Sequence, residues 1–281
     1  PEIEALDSAK RELTTDNLTS EALTIAQKCD VVVFVGGISP NLEGEEMDVK
    51  VEGFHAGDRT TLDLPQNQLS LLEQLHKTGK PVVLVLTGGS ALALNWAQQN
   101  LSAIIQTWYP GEEGGNALAE VLFGKTNPAG RLPVTFYKSV NDIPAFEDYS
   151  MNGRTYKYFS GEPLYAFGFG LSYTSFNYNS ILLNKNVATV MDTIKLAVSV
   201  TNNGKFEGDE VVQIYFKQPT ELEGQPIKSL VAFKREHFHK GETKTIDFLI
   251  PVNRLRHFDS NLDDYSIAKG LFEFYAASSS D

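Results

Sequence analysis

Residues 31–35 read V-V-V-F-V and residues 82–87 read V-V-L-V-L-T. Each is a short, continuous apolar run, the pattern of a parallel strand covered on both faces. A third, weaker run covers Ser102–Thr107 and ends at Trp108. Between the first two, Gln66–His76 sets Leu69, Leu72 and Leu75 at helical spacing, and Gly79 supplies a stop. Glu21–Lys28 leads into the first run as another helix, with Asn17 or Thr19 as its cap. Ala91–Gln99 and Asn116–Phe123 give two more. Strands alternating with helices at this pitch predict a layered α/β sandwich domain with right-handed crossovers.

From about Leu171 the apolar period becomes two. Thr193–Thr201 and Glu210–Lys217 alternate apolar and polar side chains and flank Asn202-Asn203-Gly204, a turn sequence of the kind that supports positive φ in a hairpin. Leu230–Lys234, Thr243–Ile250 and Gly270–Ala276 continue the pattern. This predicts an all-β sandwich of immunoglobulin-like type. The Cys pair and central Trp of antibody domains are missing, which points to a fibronectin type III-like variant. The expected organisation is an α/β domain over 1–148, an aromatic-rich linker over 149–172 and the β-sandwich over 173–281. Tyr149, Tyr156, Tyr158, Phe159, Tyr165, Phe167 and Phe169 are too many aromatics for a solvated linker and are expected to bury against both domains.

A length of 281 residues is close to two domains of about 150 residues. The chain is 42% hydrophobic and 21% charged, enough apolar content for a packed core and unlike disordered or fibrous chains. Its net charge of −12 repels phosphate backbones and anionic lipid, so neither nucleic acid nor a membrane surface is expected as a partner. Residues 1–172 hold 12 basic and 22 acidic side chains, and residues 173–281 hold 12 and 14, so the excess sits in the first part. The lone Cys29 forms no internal disulfide and reads as a small core residue. No apolar run approaches the roughly 18–20 residues of a membrane span. The opening Pro1-Glu2-Ile3 lacks a methionine and a leader pattern, which suggests a processed product or a piece of a longer chain.

The densest charge is E-G-E-E-M-D at residues 43–48, followed by Glu52 and Asp58-Arg59. It lies past the carboxyl end of the first parallel strand, where open α/β sheets place their ligands. Crowded carboxylates raise the proton affinity of at least one of them. A carboxylic acid that stays protonated near neutral pH is what protonates a departing glycosidic oxygen. Read without context, the same residues are a solvated acidic loop, and they lack the ligand alternation of a calcium loop. Gly36-Gly37 and Gly88-Gly89 complete no nucleotide-binding fingerprint and read as strand-to-loop turns. Ser39 and Ser90 have no nucleophile-elbow context. His237-x-His239 has no acidic or cysteine partner at ligand spacing along the chain and reads as surface histidines, so no metal is expected.

Four stretches, in order, resemble family 3 glycoside hydrolases. Residues 36–65 (G-G-I-S-P-N-L-E-G-E-E-M through G-D-R-T-T-L-D-L-P) resemble the acid/base loop region. Residues 108–136 (from W-Y-P-G-E-E-G-G to G-R-L-P-V-T-F) resemble the family's C-terminal α/β sandwich. Residues 153–176 resemble the junction to its fibronectin type III-like domain, and residues 198–216 a hairpin of that domain. The match covers nearly the whole chain from about residue 30.

The resemblance implies a retaining exo-acting β-glycosidase that takes a β-linked oligosaccharide or glycoside and needs no cofactor. In such enzymes the nucleophile aspartate stands on an N-terminal (β/α)8 barrel, and nothing in this sequence resembles that segment. The general acid/base glutamate stands on the following sandwich domain, a few residues before a D-R element. Here Gly44-Glu45 matches, so Glu45 is the assignment, with Glu43 and Glu46 as alternatives because the stretch before Asp58-Arg59 is longer than in relatives. Read alone, the chain supplies one of two required carboxyls and is expected not to hydrolyse glycosides without its barrel. The L-E-G-E-E form leans to a β-xylosidase over a β-glucosidase. A non-catalytic carbohydrate-binding or adhesion module is the reading from another class. No cellular address is legible, although saccharide-degrading relatives are often periplasmic or secreted.

Overall fold

The computed structural model describes residues 15–44, 49–219, 224–259 and 261–281. The chain divides between Gly114 and Gly115 into two compact units. The first contains α1 (Thr15–Gln27), β1 (Val32–Gly37), β2 (Phe54–His55), β3 (Asp58–Arg59), α2 (Gln66–His76), β4 (Val82–Thr87), α3 (Asn95–Asn100) and β5 (Ala103–Trp108).

β1, β4 and β5 form a parallel sheet with β4 in the middle, in register Val32↔Val82 and Val83↔Ala103. The central position of β4 explains its unbroken apolar sequence: Val82, Leu84, Val85 and Leu86 are buried, which uses both faces. β1 was expected to be covered on both faces as well, and is not. It lies at the edge of the described sheet, and Val31, Val33 and Val35 stay exposed while the alternate positions face inward. Cys29, expected in the core, is only half-buried in the turn after α1.

The end of β1 is built around glycine. Gly37 has φ +120°, and a Cβ there would lie 2.0 Å from the Thr87 carbonyl oxygen of β4. Gln68 of α2 clamps the same residue, accepting from Gly37 N–H at 2.7 Å and donating to Gly37 O at 2.7 Å. Gly37→Ala is therefore expected to destabilise this unit by about 1–3 kcal/mol from backbone strain alone. The overlap with Thr87 adds to that. A urea midpoint within error of the parent would show that residue 37 does not need glycine.

The second unit follows with α4 (Gly114–Leu122) at its start, α5 (Thr155–Tyr158), and then strands β6 (Phe176–Leu183), β7 (Thr193–Asn202), β8 (Gly208–Lys217), β9 (Ser229–Phe238), β10 (Thr243–Pro251), β11 (His257–Asp259), β12 (Asp264–Ser266) and β13 (Glu273–Ala277). Two antiparallel sheets, ordered β10-β7-β6 and β13-β8-β9, enclose one core. Leu196, Val198 and Val200 of β7 face Val212, Ile214 and Phe216 of β8 across it, all nearly inaccessible. Period-two patterning thus becomes a sandwich, as expected.

Two details differ from the sequence reading. The Asn202-Asn203-Gly204 turn joins no hairpin, because β7 pairs with β6 and β10 whereas β8 pairs with β9 and β13. It is a crossover between sheets, held by the fully buried Asn202, whose Nδ2 donates to Phe206 O at 2.8 Å and whose Oδ1 accepts from Gly204 N–H at 3.1 Å. Gly204 does not take a positive φ. The second difference is β8, which is buried on both faces: Gln213 and Tyr215 lie under the aromatic segment. Tyr156 stacks on Phe167 at 4.4 Å and meets Tyr215 edge-on at 6.0 Å, and Gln213 Nε2 donates to Gly168 O at 3.1 Å. Alternation along β8 hid this, since a neighbouring segment covers what is usually a solvent face. Tyr149, expected to bury with the other aromatics, does not: it is 91% exposed.

Candidate active site

The first unit gathers four polar side chains at the carboxyl ends of its parallel strands. After Gly37, Ile38 is buried and its N–H donates to Thr87 O at 3.0 Å. A turn follows, in which Leu42 and Glu43 N–H both reach Ser39 O. This delivers the Glu43 side chain over the loop that leaves β4. There Ser90 Oγ donates to Glu43 Oε1 at 3.0 Å, and Gly89 N–H donates to Oε2 at 3.4 Å. Tyr109 OH donates to the same Oε2.

Arg59 arrives from a hairpin. β2 and β3 pair Phe54 with Arg59 around Ala56 (φ 51°) and Gly57 (φ 91°), two successive positive φ values that suit a tight two-residue turn. Arg59 Nη1 then donates to Ser90 Oγ at 2.8 Å and to Ala91 O at 2.8 Å. Ser90 is therefore a relay, accepting from Arg59 and donating to Glu43. Arg59 Nη2 is buried with no partner among the described residues.

Tyr109 is aimed by an irregularity in the sheet. The β4–β5 register runs Leu86↔Gln106 and then Thr87↔Trp108, so Thr107 is the extra residue of a bulge. Its Oγ1 donates to Leu86 O at 3.0 Å, and Trp108 takes φ 56°, a left-handed conformation uncommon outside glycine. Gly89 matters for close approach, since a Cβ there would sit 3.0 Å from the Tyr109 ring.

The electrostatics follow from this packing. Burial pulls the Arg59 guanidinium below its ordinary value, and nearby Glu43 and Asp63 oppose that. The Tyr109 phenol is pushed up to about 12, first by desolvation and then by its hydrogen bond to Glu43. Tyr109 thus stays a neutral donor at any working pH.

Of the three glutamates singled out in the sequence, the structure places Glu43 in this network. Glu45 and Glu46 lie outside the described residues, two and three positions further along. Ser90, set aside for lacking a nucleophile context, is part of the site as a relay. Tyr109 and Gly89 were missed as site residues; their one signal was position, directly after the strand ends where α/β sheets gather ligands. His237 and His239 belong to the other unit, at the end of β9.

Residues 2–173 match the glycosyl hydrolase family 3 C-terminal domain, and residues 210–280 match a fibronectin type III-like domain. The chain belongs to glycosyl hydrolase family 3. It is 42% identical over 272 residues to a xylan 1,4-beta-xylosidase of Xylanibacter ruminicola, a match covering 96% of this chain and 31% of that protein. It is 37% identical to a periplasmic beta-glucosidase of Salmonella typhimurium, covering 92% of this chain and 34% of the other. Among solved structures, a β-glucosidase from Erythrobacter marinus superposes with a TM-score of 0.82 at 33% identity, over 94% of this chain and 35% of that one. The chain spans about a third of the length of the curated relatives it matches.

Proposed function

We propose that this chain is the part of a retaining β-glycosidase that supplies the general acid/base, working against a nucleophile aspartate on an N-terminal (β/α)8 barrel. One observation carries the reading: in a family 3 chain, Glu43 is tied to Ser90, Gly89 and Tyr109 at the carboxyl ends of β1, β4 and β5. That anchorage lies two residues from Glu45, the acid in this proposal. Glu43 accepts from three donors and stands beside Arg59, an arrangement suited to a carboxylate that holds a loop in place. Glu45 then carries the proton.

In the first step protonated Glu45 donates to the glycosidic oxygen as the barrel aspartate attacks the anomeric carbon. The bond to the leaving group breaks and a glycosyl-enzyme ester forms. In the second step the Glu45 carboxylate takes a proton from water as that water attacks the anomeric carbon, which frees the aspartate. Placing the acid on one domain and the nucleophile on another lets substrate binding assemble the pair.

For the sugar we propose a β-xyloside. The L-E-G-E-E sequence supports this, as does the 42% identity to a protein named as a xylosidase. The test compares the 281-residue chain alone with the same chain joined to a family 3 barrel. Alone it is expected to fold and leave aryl glycosides intact; joined, it is expected to turn over aryl xyloside faster than aryl glucoside. Turnover by the isolated chain that Glu45→Gln abolishes would overturn the division of labour. Faster glucoside turnover would overturn the sugar assignment, and saccharide binding without turnover in the joined protein would make the chain a binding module.

A further inference from the structure

The open end of the β8–β9 pair brings together side chains 28 and 32 residues apart in sequence. Asp209 lies opposite His237, and Gly208 opposite Phe238. One position further out, Glu207 and His239 flank the same strand end. Residues two apart on a strand share a face, so His237 joins His239 and Asp209 joins Glu207 on one side of the ribbon.

We propose that Glu207, His237 and His239 form a binding site for a divalent transition metal of the zinc class on the surface of the β-sandwich. One ligand atom from each residue lies within 4.8 Å of the other two. His239 Nδ1 is 3.2 Å from Glu207 Oε2, and His237 Nε2 is 3.9 Å from the same oxygen. Neighbouring ligands on a tetrahedral zinc stand about 3.3 Å apart, given bond lengths of about 2.0–2.1 Å. Small rotations of the exposed Glu207 and His239 side chains close the difference.

A second observation makes the arrangement more than a chance cluster. His237 Nδ1 is 2.7 Å from Asp209 Oδ1, and Arg235 Nε holds the other Asp209 oxygen at 2.6 Å. With Nδ1–H donated to Asp209, the lone pair of Nε2 is left on the side of Glu207 and His239. A carboxylate fixing the far nitrogen of an imidazole is the usual outer support of a metal-bound histidine. The two imidazole rings stand at 84°, with centroids 5.2 Å apart, so they converge without stacking face to face.

The donor set selects the ion. Two imidazoles and one carboxylate suit zinc, copper or nickel, whereas calcium and magnesium need more oxygen ligands. Three protein ligands leave the fourth position open to water or to a donor from another molecule. Linear spacing concealed the site, because the acidic partner precedes β8 and only antiparallel pairing delivers it to the histidines.

The test is a calorimetric titration of the purified chain with zinc chloride in a buffer containing magnesium and calcium. One zinc per chain is expected, with thermal protection of the β-sandwich. Asp209→Asn is expected to weaken binding about 10–100-fold, since it loosens the support of His237 without removing a ligand. His237→Ala/His239→Ala, whose fold is checked by circular dichroism, is expected to abolish it. Cobalt as a probe is expected to give the visible absorption of a tetrahedral site. No zinc uptake at high micromolar concentration, or uptake unchanged in the double alanine variant, would overturn the proposal.

Discussion

Glu45→Gln, in the protein joined to its barrel, is expected to lower turnover of glycosides with poor leaving groups by about 10²–10⁴-fold, the range of one lost general acid. The loss depends on the aglycone. A poor leaving group needs the proton to depart, whereas a nitrophenolate leaves without one and is expected to react at nearly the parental rate in the first step. Glycosyl-enzyme then accumulates, because the amide cannot deprotonate water. Azide, which needs no base, is expected to restore the second step and to yield a glycosyl azide of retained configuration.

Glu43→Gln is expected to give a different pattern. The carboxamide keeps the shape but loses its charge beside Arg59, and its NH2 meets Tyr109 or Ser90 donors instead of accepting from them. Good and poor leaving groups should then slow by the same factor, roughly tenfold, and azide should not help. A uniform loss marks a residue that positions the loop; a leaving-group-dependent loss marks the acid. If Glu43→Gln or Glu46→Gln shows azide rescue and Glu45→Gln does not, the acid is that residue and the assignment of Glu45 fails.

Breaking the buried ion pair of the second unit is expected to have the largest effect on stability. Arg131 Nη2 lies 2.6 Å from Glu210 Oε2, with side chains only 8% and 2% exposed, and Tyr178 OH donates to Glu210 Oε1 at 2.8 Å. Burial and the adjacent Glu210 hold the Tyr178 phenol well above its ordinary range, so it remains a donor. Glu210 belongs to β8, and Arg131 to the segment that precedes the aromatic stretch. Removing one partner leaves the other charged and buried, at a cost of about 3–5 kcal/mol. For a unit of this size that lowers the melting temperature by roughly 6–20 °C. Replacing both, as in Arg131→Met/Glu210→Leu, is expected to cost less than either Arg131→Ala or Glu210→Ala, because no orphan charge remains. Equal and additive losses in calorimetric melts would show that the two residues do not act as a pair.

Much of the fold was legible because local chemistry encodes it. β4 was readable at both ends, since a central parallel strand must be apolar throughout, and α2 followed from leucine spacing and Gly79. β7 and β10 showed their alternation because one face meets the core and the other meets water. β8 broke that rule once an aromatic segment covered its outer face, and Asn202-Asn203-Gly204 carried hairpin chemistry into a crossover between sheets. Neither outcome is a local property.

The site divides in the same way. Glu43–Asp48 stood out as a cluster because carboxylates so close in sequence announce themselves. Its anchoring residues did not, since Ser90, Gly89 and Tyr109 are ordinary side chains until the ends of β1, β4 and β5 are brought side by side. Sequence alone determined the two layered classes, the family and the acidic cluster, all of which rest on neighbours along the chain. Tertiary structure decided what holds Glu43, what covers β8, and that Glu207 meets His237 and His239. Those depend on strand register and sheet order, which bring distant residues within a hydrogen bond of each other.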